Sequence, residues 1–248
     1  RSNEVKALGI PMGTPIFKIK DLVRRHNIQT FSSNYTLYAD MSQRIMNILA
    51  TFTPDIEIYS IDEAFLRLDR LAEKDLISLS RAMRKQVIQW TGVPISIGIA
   101  NTKTLAKLAN SVAKRDEKKN GVCNFNDMPR AEIEHFMKSF PVGKIWGVGR
   151  QYSKKLNMMG VKTVLDFTRL SPKLVRKHMT VVGYRTWLEL NGTSCIELED
   201  HVPDKKQIIS SRSFGTPVTD LEPLKEAVAS YVARAAEKLR AQKSIAGI

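Results

Sequence analysis

The fold is decided by the stretch IEIYSIDEAFLRL at residues 56–68. Residues 56–60 alternate between apolar and polar side chains, which predicts a strand, and the apolar run at 64–68 predicts a second strand. Asp62 and Glu63 then lie at the turn of a hairpin. Such paired carboxylates supply the oxygen ligands that Mg²⁺ prefers, and two ions about 4 Å apart stabilise the reacting oxygens of phosphoryl transfer. An ordinary acidic turn is the alternative, because Asp favours turns through local hydrogen bonds.

The elements on either side of this hairpin predict the rest of a sheet unit. Their expected bounds are a helix at 34–51, a helix at 73–91, a strand at 93–100 and a helix at about 104–114. This order suits a split βαβ, ferredoxin-like sheet whose first strand is missing.

The remaining segments predict further units. Residues 4–28 are expected to be helical and irregular, since glycine and proline interrupt them, and 126–200 are expected to form an all-α unit of short helices. A polar linker follows. A strand at 208–218 and a helix at 221–243 would begin another α/β unit. The predicted fold class is therefore α+β and multidomain.

The helix after the third strand carries a lysine stripe. At about 100° per residue, Lys103, Lys107 and Lys114 fall within about 40° of one another. Lysines beside a metal site can hold the triphosphate of a nucleotide. A solvated lysine face is the alternative interpretation.

A second candidate site is VGKIWGVGRQYSKKL at residues 142–156. Gly147, Val148 and Gly149 between two helices expose backbone N–H groups that donate hydrogen bonds to phosphate oxygens without selecting bases. Lys154 and Lys155 add positive charge one turn later. The pattern resembles the helix–hairpin–helix of sequence-independent DNA binders, and the alternative is a tight turn between helices.

Charge and composition agree with a polyanionic partner. The chain has 248 residues and a formal charge of +14, and the positive excess is spread everywhere except 29–101, which contains the acidic hairpin. Phosphate-binding surfaces around an acidic metal site give this distribution, as does a basic solvated surface.

No apolar stretch predicts a membrane span. The two cysteines, Cys123 and Cys195, indicate a reducing cytoplasm, and one disulfide between them stays open. The start of the chain is not a signal peptide. The absence of an initiator Met and of a clear C-terminal cap indicates a fragment.

Several motifs together resemble a known family. SIDEAF at 60–65, GIANTKTLAKLA at 98–109 and WGVG at 146–149 resemble the Y-family DNA polymerases. FSSNYTLYADMS at 31–42 and SRSFG at 211–215 resemble the UmuC group of that family. The resemblance implies five parts: fingers (partial) at 1–33, palm at 34–125, helical thumb at 126–200, linker at 201–207 and little finger (partial) at 208–248.

The same resemblance implies residue roles. Asp62 and Glu63 match catalytic carboxylates that bind two Mg²⁺ ions, and Lys6 and Lys114 match residues on the incoming triphosphate. Gly147–Gly149 match the hairpin that holds the DNA backbone. The family's first carboxylate lies on an N-terminal strand that precedes Arg1, so the chain alone is expected to be inactive.

The implied function is error-prone translesion DNA synthesis in the bacterial SOS response. Its implied substrates are primed damaged DNA and dNTPs, and its implied partners are a processed UmuD dimer, the RecA filament and the sliding clamp, in the cytoplasm. Two alternatives remain open. One is a non-catalytic DNA-binding module, and the other is a nucleotidyl cyclase, which shares a ferredoxin-like palm with acids at a hairpin.

Overall fold

A computed structural model of the chain describes residues 1–72, 75–199 and 207–245. The N-terminal part contains two short helices, α1 (Asn3–Ala7) and α2 (Lys20–Arg25), with a 3₁₀ turn at Ile16–Lys18 between them. Neither helix has a buried residue. The irregular helical structure predicted for 4–28 is therefore confirmed.

The acidic hairpin is present, with one change of boundary. β1 (Ile56–Ser60) pairs antiparallel with β2 (Glu63–Leu66), and the pairing ends with Ser60 opposite Glu63. The second strand was expected at 64–68, so it lies closer to the turn than predicted. Glu63 belongs to the strand, because its backbone still pairs across the ladder, and only Asp62 of the two acids lies in the turn.

Three predicted helices surround the hairpin: α3 (Tyr35–Ala50), α4 (Leu76–Thr91) and α5 (Lys103–Arg115). Each begins after a side chain that accepts a backbone N–H of the first turn, namely Asn34, Asp75 and Thr102. α4 ends at Gly92, which adopts φ +73°. Residues 73 and 74 of the predicted second helix lie outside the described residues. The core between α3 and α4 consists of Met46, Ile48, Leu49, Met83 and Val87.

The strand predicted at 93–100 is largely wrong. Only β3 (Ile97–Ile99) forms, because its parallel partner β4 (Val122–Asn124) is equally short, and β4 was not predicted. In the described part of the chain, β1–β2 and β3–β4 are separate two-stranded sheets. A groove of about 1720 Å³ between them is lined by residues of β2 and β3. The α+β class is confirmed, and the divided sheet agrees with a ferredoxin-like unit without its first strand.

A helical unit follows β4, as predicted for 126–200. Its helices are α6 (Arg130–Ser139), α7 (Arg150–Met158), α8 (Val164–Thr168), α9 (Pro172–His178) and α10 (Val181–Leu190). A 3₁₀ turn at Val142–Lys144 precedes α7. One hydrophobic core joins this unit to α5, because Leu108 and Val112 of α5 are buried with Val142 and Leu156.

The C-terminal part is a single long helix, α11 (Leu221–Ala241), which has no buried residue. The helix predicted at 221–243 is confirmed, but the strand predicted at 208–218 is wrong. Residues 207–220 contain no strand, and Gly215 and Pro217 interrupt the apolar pattern there. Of the predicted linker, 201–206 lie outside the described residues. Among the helices that the structure describes, none is long and apolar enough to span a membrane.

Candidate active site

The two acids of the hairpin differ in their surroundings. Asp62 is exposed at the turn, where its carboxylate accepts a hydrogen bond from Ser60 Oγ at 2.7 Å and its backbone N–H donates back to that hydroxyl at 3.3 Å. Glu63 is half-buried, and its Oε2 accepts a hydrogen bond from Lys107 Nζ at 2.9 Å. The hairpin therefore presents one solvent-facing carboxylate beside one that is already paired with a lysine.

Lys107 is enclosed by three aromatic rings. Its Nζ lies 4.2 Å from the ring centroid of Tyr59, 4.9 Å from that of Trp146 and 5.5 Å from that of Phe65. Trp146 also donates its indole N–H to the Tyr59 hydroxyl at 3.0 Å. We call these three rings and Lys107 the aromatic cage. Cation–π attraction and the Glu63 carboxylate both stabilise the ammonium there.

The predicted lysine stripe is only partly exposed. Lys103 is buried, since it forms an ion pair with Glu57 and donates to the carbonyl of Glu197 at 2.6 Å. Lys103 is therefore a structural residue, and the stripe does not present three free cations. Helical periodicity predicted a common direction correctly but did not show that Glu57 of β1 lies in it.

Lys114 and Lys6, both assigned to the triphosphate, occupy different places. Lys114 is exposed and lines a cavity of about 220 Å³ together with Glu63, Lys107, Lys144 and Trp146. Lys6 is exposed on α1, where it donates to Asn3 Oδ1 at 3.0 Å. Lys6 lines neither this cavity nor the groove. The described structure therefore brings Lys114, but not Lys6, to the acidic hairpin.

The glycine hairpin combines a left-handed glycine, a buried valine whose N–H is already bonded within the protein, and an open helix start. Gly147 adopts φ +85°, a backbone angle that is strained for residues with a side chain. Val148 is buried and donates its N–H to Ile145 O at 3.0 Å. Gly149 is the N-cap of α7, and a methyl group added there would have nothing within 4 Å. The hairpin is thus anchored by Val148 and open at Gly149, at the positive end of a helix.

The two lysines of α7 are not equivalent. Both side chains are exposed, but Lys155 donates to the carbonyl of His178 at 2.8 Å, at the end of α9. Lys154 has no such contact among the described residues. Lys154 is therefore free to reach a phosphate, whereas Lys155 also joins α7 to α9.

The sequence pattern did not reveal how the segment after α10 is held. Glu189 is fully buried and accepts backbone N–H groups from Thr104, Cys195 and Ile196. Glu57 accepts the backbone N–H of Glu199, in the same segment, at 2.8 Å. Burial, and next the Glu189 carboxylate, raise the pKa of the Cys195 thiol above its usual range. A glutamate between Leu188 and Leu190 was the available sign, but its partner Thr104 lies 85 residues away in the sequence.

The donor chemistry at the hairpin fits a divalent metal. Asp62 and Glu63 provide hard carboxylate oxygens, which suit Mg²⁺. In the part of the chain that the structure describes, no group of three or more His, Cys, Asp or Glu side chains forms a candidate metal site. The hairpin therefore supplies two carboxylates toward a site and not a complete ligand set.

Comparisons with known proteins show the family of the chain. A model of the impB/mucB/samB family matches residues 1–111, its C-terminal domain model matches 205–248, and a model of the IMS family HHH motif matches 130–161. The chain belongs to the impB/mucB/samB family. Protein UmuC of Salmonella typhimurium is 48% identical over 243 residues, which cover 97% of this chain and 57% of that protein. Protein ImpB of Salmonella typhimurium is 43% identical over 246 residues, covering 98% and 58%.

The fold of this impB/mucB/samB family chain is that of Y-family DNA polymerases. A solved Y-family DNA polymerase chimera superposes with a TM-score of 0.74 at 23% identity, covering 95% of this chain and 66% of the chimera. The chain spans a little under three fifths of the length of UmuC and ImpB. The HHH motif match ends at residue 161 and includes the glycine hairpin.

Proposed function

We propose that this chain is part of a DNA polymerase that extends primed, damaged DNA by error-prone translesion synthesis in the SOS response. One observation carries the proposal. Glu63 and Lys114 of the sheet unit line the same cavity as Lys144 and Trp146, which lead into the glycine hairpin of the helical unit. Acidic and basic side chains thus share one cavity next to the glycine hairpin, which supports a site where nucleotidyl transfer would need charge stabilisation and positioning.

Each group has a distinct proposed role. Asp62 and Glu63 would hold two Mg²⁺ ions, which when bound stabilise the attacking primer hydroxyl and the leaving pyrophosphate. Lys114 would neutralise the triphosphate of the incoming dNTP, and the same role for Lys6, which lines neither the cavity nor the groove, rests on the family resemblance alone. The backbone N–H groups of Gly147 and Gly149, held in place by buried Val148, would bind the DNA backbone together with Lys154 and Lys155, without selecting a sequence.

The proposed domains follow the same division. They are fingers at 1–33, palm at 34–125, thumb at 126–200, linker at 201–207 and little finger at 208–248. Proposed partners are a processed UmuD dimer, the RecA filament and the sliding clamp, and the proposed location is the bacterial cytoplasm. The names of the relatives UmuC and ImpB support the family, and these partners are inferred from it.

The test is Mg²⁺-dependent primer extension across an abasic template site. It compares the 248-residue chain with a longer chain that carries a UmuC-type N-terminal strand and a completed little finger, with clamp and activated partners supplied to both. We expect only the longer chain to extend the primer, because the two carboxylates at the hairpin of the described residues are not a complete ligand set for the metal. Asp62→Ala should abolish extension by the longer chain, whereas Asp69→Ala, an exposed acid near the same hairpin, should leave it intact.

A DNA-binding module without chemistry is the second candidate. The observation that favours it is that no group of three or more potential metal ligands comes together in the described part of the chain. A pure binder should retain salt-sensitive DNA binding without Mg²⁺ and should tolerate Asp62→Ala. Failure of both chains to extend, with binding intact, would favour this candidate.

A further inference from the structure

The Glu63–Lys107 pair lies at the point where the sheet unit meets the helical unit. Two rings of the aromatic cage, Tyr59 and Phe65, belong to the strands that flank the acidic turn, while Trp146 directly precedes Gly147 of the glycine hairpin. The rings also contact one another, with centroid distances of 5.5 Å from Trp146 to both Tyr59 and Phe65. One ammonium therefore connects a candidate metal ligand to the phosphate-binding hairpin.

The charge of Lys107 is masked in this arrangement. Its side chain is 18% exposed, and Glu63 neutralises it at 2.9 Å. Lys114 and Lys144 line the same cavity, and neither forms an ion pair within the described residues. Because the Lys107 side chain is largely withdrawn from water, a change in the charge paired with it alters the local potential more than it would at an open surface.

A divalent cation at the hairpin would compete for the same carboxylate. The oxygen of Glu63 that faces Lys107 is one of the two oxygens with which Glu63 could hold a metal. A metal that takes this Oε2 oxygen leaves the ammonium with its three rings but without its anion. The cavity then carries an additional uncompensated positive charge next to Lys114 and Lys144.

We infer that Lys107 is a charge switch: Glu63 masks it in the metal-free chain, and metal at Asp62 and Glu63 unmasks it for a phosphate group of the DNA backbone. This inference rests on the proposed metal role of the hairpin and deepens it. Lys107 is a positioning residue that acts through Glu63 and Trp146. By linkage, metal and DNA then strengthen each other's binding by the same factor.

The first experiment measures metal binding and does not require catalysis. The chain has three tryptophans, so Trp90→Phe with Trp187→Phe leaves Trp146 as the sensitiser of Tb³⁺ luminescence. Tb³⁺ is titrated into this background alone and with Lys107→Met, Lys107→Arg, Glu63→Gln or Asp62→Ala. We expect Lys107→Met to bind Tb³⁺ about tenfold more tightly, since the competing ammonium is gone. Lys107→Arg should stay near the parent, and the two acid variants should lose the signal.

The second experiment measures how metal binding changes the affinity for the phosphate groups of DNA. The affinity of a fluorescein-labelled primed duplex is measured by anisotropy with and without Mg²⁺ at constant ionic strength. The general effect of Mg²⁺ on DNA is common to all variants, so it cancels when their ratios are compared. We expect the ratio to differ about fivefold between the parent and Lys107→Met, as for a typical coupling, and Lys107→Arg to recover the parent value.

The outcomes distinguish a failure of the charge switch from a failure of the proposed metal role. Equal Tb³⁺ affinities and equal Mg²⁺ ratios in the parent, Lys107→Met and Lys107→Arg would overturn the charge switch and leave the metal assignment standing. Luminescence that is absent, or unchanged by Asp62→Ala, would overturn the switch together with the metal role in the proposed function. Circular dichroism of each variant establishes that it is folded.

Discussion

The carboxylate of Glu189 accepts a hydrogen bond from the backbone N–H of Thr104, 85 residues earlier in the sequence, at 3.0 Å. Thr102 Oγ1 donates a second hydrogen bond, to the backbone carbonyl of Glu189, at 2.9 Å. The other carboxylate oxygen accepts the N–H groups of Cys195 and Ile196. One buried residue of α10 thus caps the helix that carries Lys107 and secures the segment that follows α10.

Replacing Glu189 should therefore destabilise the fold strongly. Glu189→Ala leaves three backbone donors without their acceptor, and we expect a loss of about 3 kcal/mol or more in the free energy of unfolding. Glu189→Gln keeps one acceptor oxygen and should lose less. Urea denaturation followed by circular dichroism measures both. Glu237→Ala, an exposed glutamate of α11, is the control, and a Glu189→Ala value close to that control would contradict the role.

The buried pair of Glu57 and Lys103 gives a second prediction. Their side chains are 10% and 7% exposed, so removing one partner leaves a buried charge. Lys103→Met should cost about 3–5 kcal/mol, whereas Glu57→Gln with Lys103→Met should recover a large part of it. The glutamine still accepts the N–H of Glu199, which Glu57 holds at 2.8 Å.

A double-mutant cycle measures this coupling. The free energies of unfolding of the parent, the two single variants and the double variant give the interaction energy directly. We expect about 2 kcal/mol. Strict additivity of the two single effects would show that the residues act separately.

Local sequence patterns predicted the elements whose stability is local. Asn34 and Thr102 cap helices whose apolar faces were visible in the sequence, and these helices are present. Strands depend on partners, which local patterns do not show. The predicted strand at 93–100 is reduced to Ile97–Ile99 because β4 pairs with those residues alone, and the one at 208–218 has no partner in the described chain.

The candidate site shows the same division. The adjacent acids of the hairpin and the glycines before α7 were visible as motifs. Trp146 was visible only as part of the glycine motif, and its contact with Tyr59 spans 87 residues. The pairing of Lys107 with Glu63 spans 44 residues, so helical periodicity could place the lysine on a face but could not identify its anion.

Gly98 and Gly149 should respond oppositely to the same substitution. A methyl group at Gly98 would lie 2.0 Å from the backbone nitrogen of Asn110 and 2.3 Å from the backbone oxygen of Ala106. Backbone atoms of α5 cannot move aside singly, so Gly98→Ala should destabilise by about 3 kcal/mol or more. Gly149→Ala meets nothing within 4 Å at φ −73° and should change stability by about 0.5 kcal/mol or less.

Thermal unfolding of the two variants checks this contrast. For a chain of this size, 1 kcal/mol corresponds to a shift of about 2–4 °C in Tm. Gly98→Ala is therefore expected to lower Tm by about 6 °C or more, with Gly149→Ala close to the parent. Similar Tm values for both variants would mean that α5 does not press on β3 as closely as the structure shows.

The last prediction separates charge from structure in α7. Lys154 is exposed and has no partner in the described structure, so Lys154→Ala should weaken binding of a primed duplex and lower the slope of log K against log salt by about 1, without a change in Tm. Lys155→Ala should lower the slope similarly and also reduce Tm, because Lys155 holds the carbonyl of His178. Lys85→Ala on α4 is the matched control, since Lys85 is exposed but lies on another helix. An unchanged slope for Lys154→Ala would place the DNA backbone away from the start of α7, and a slope lowered equally by Lys85→Ala would show that binding depends on net charge alone.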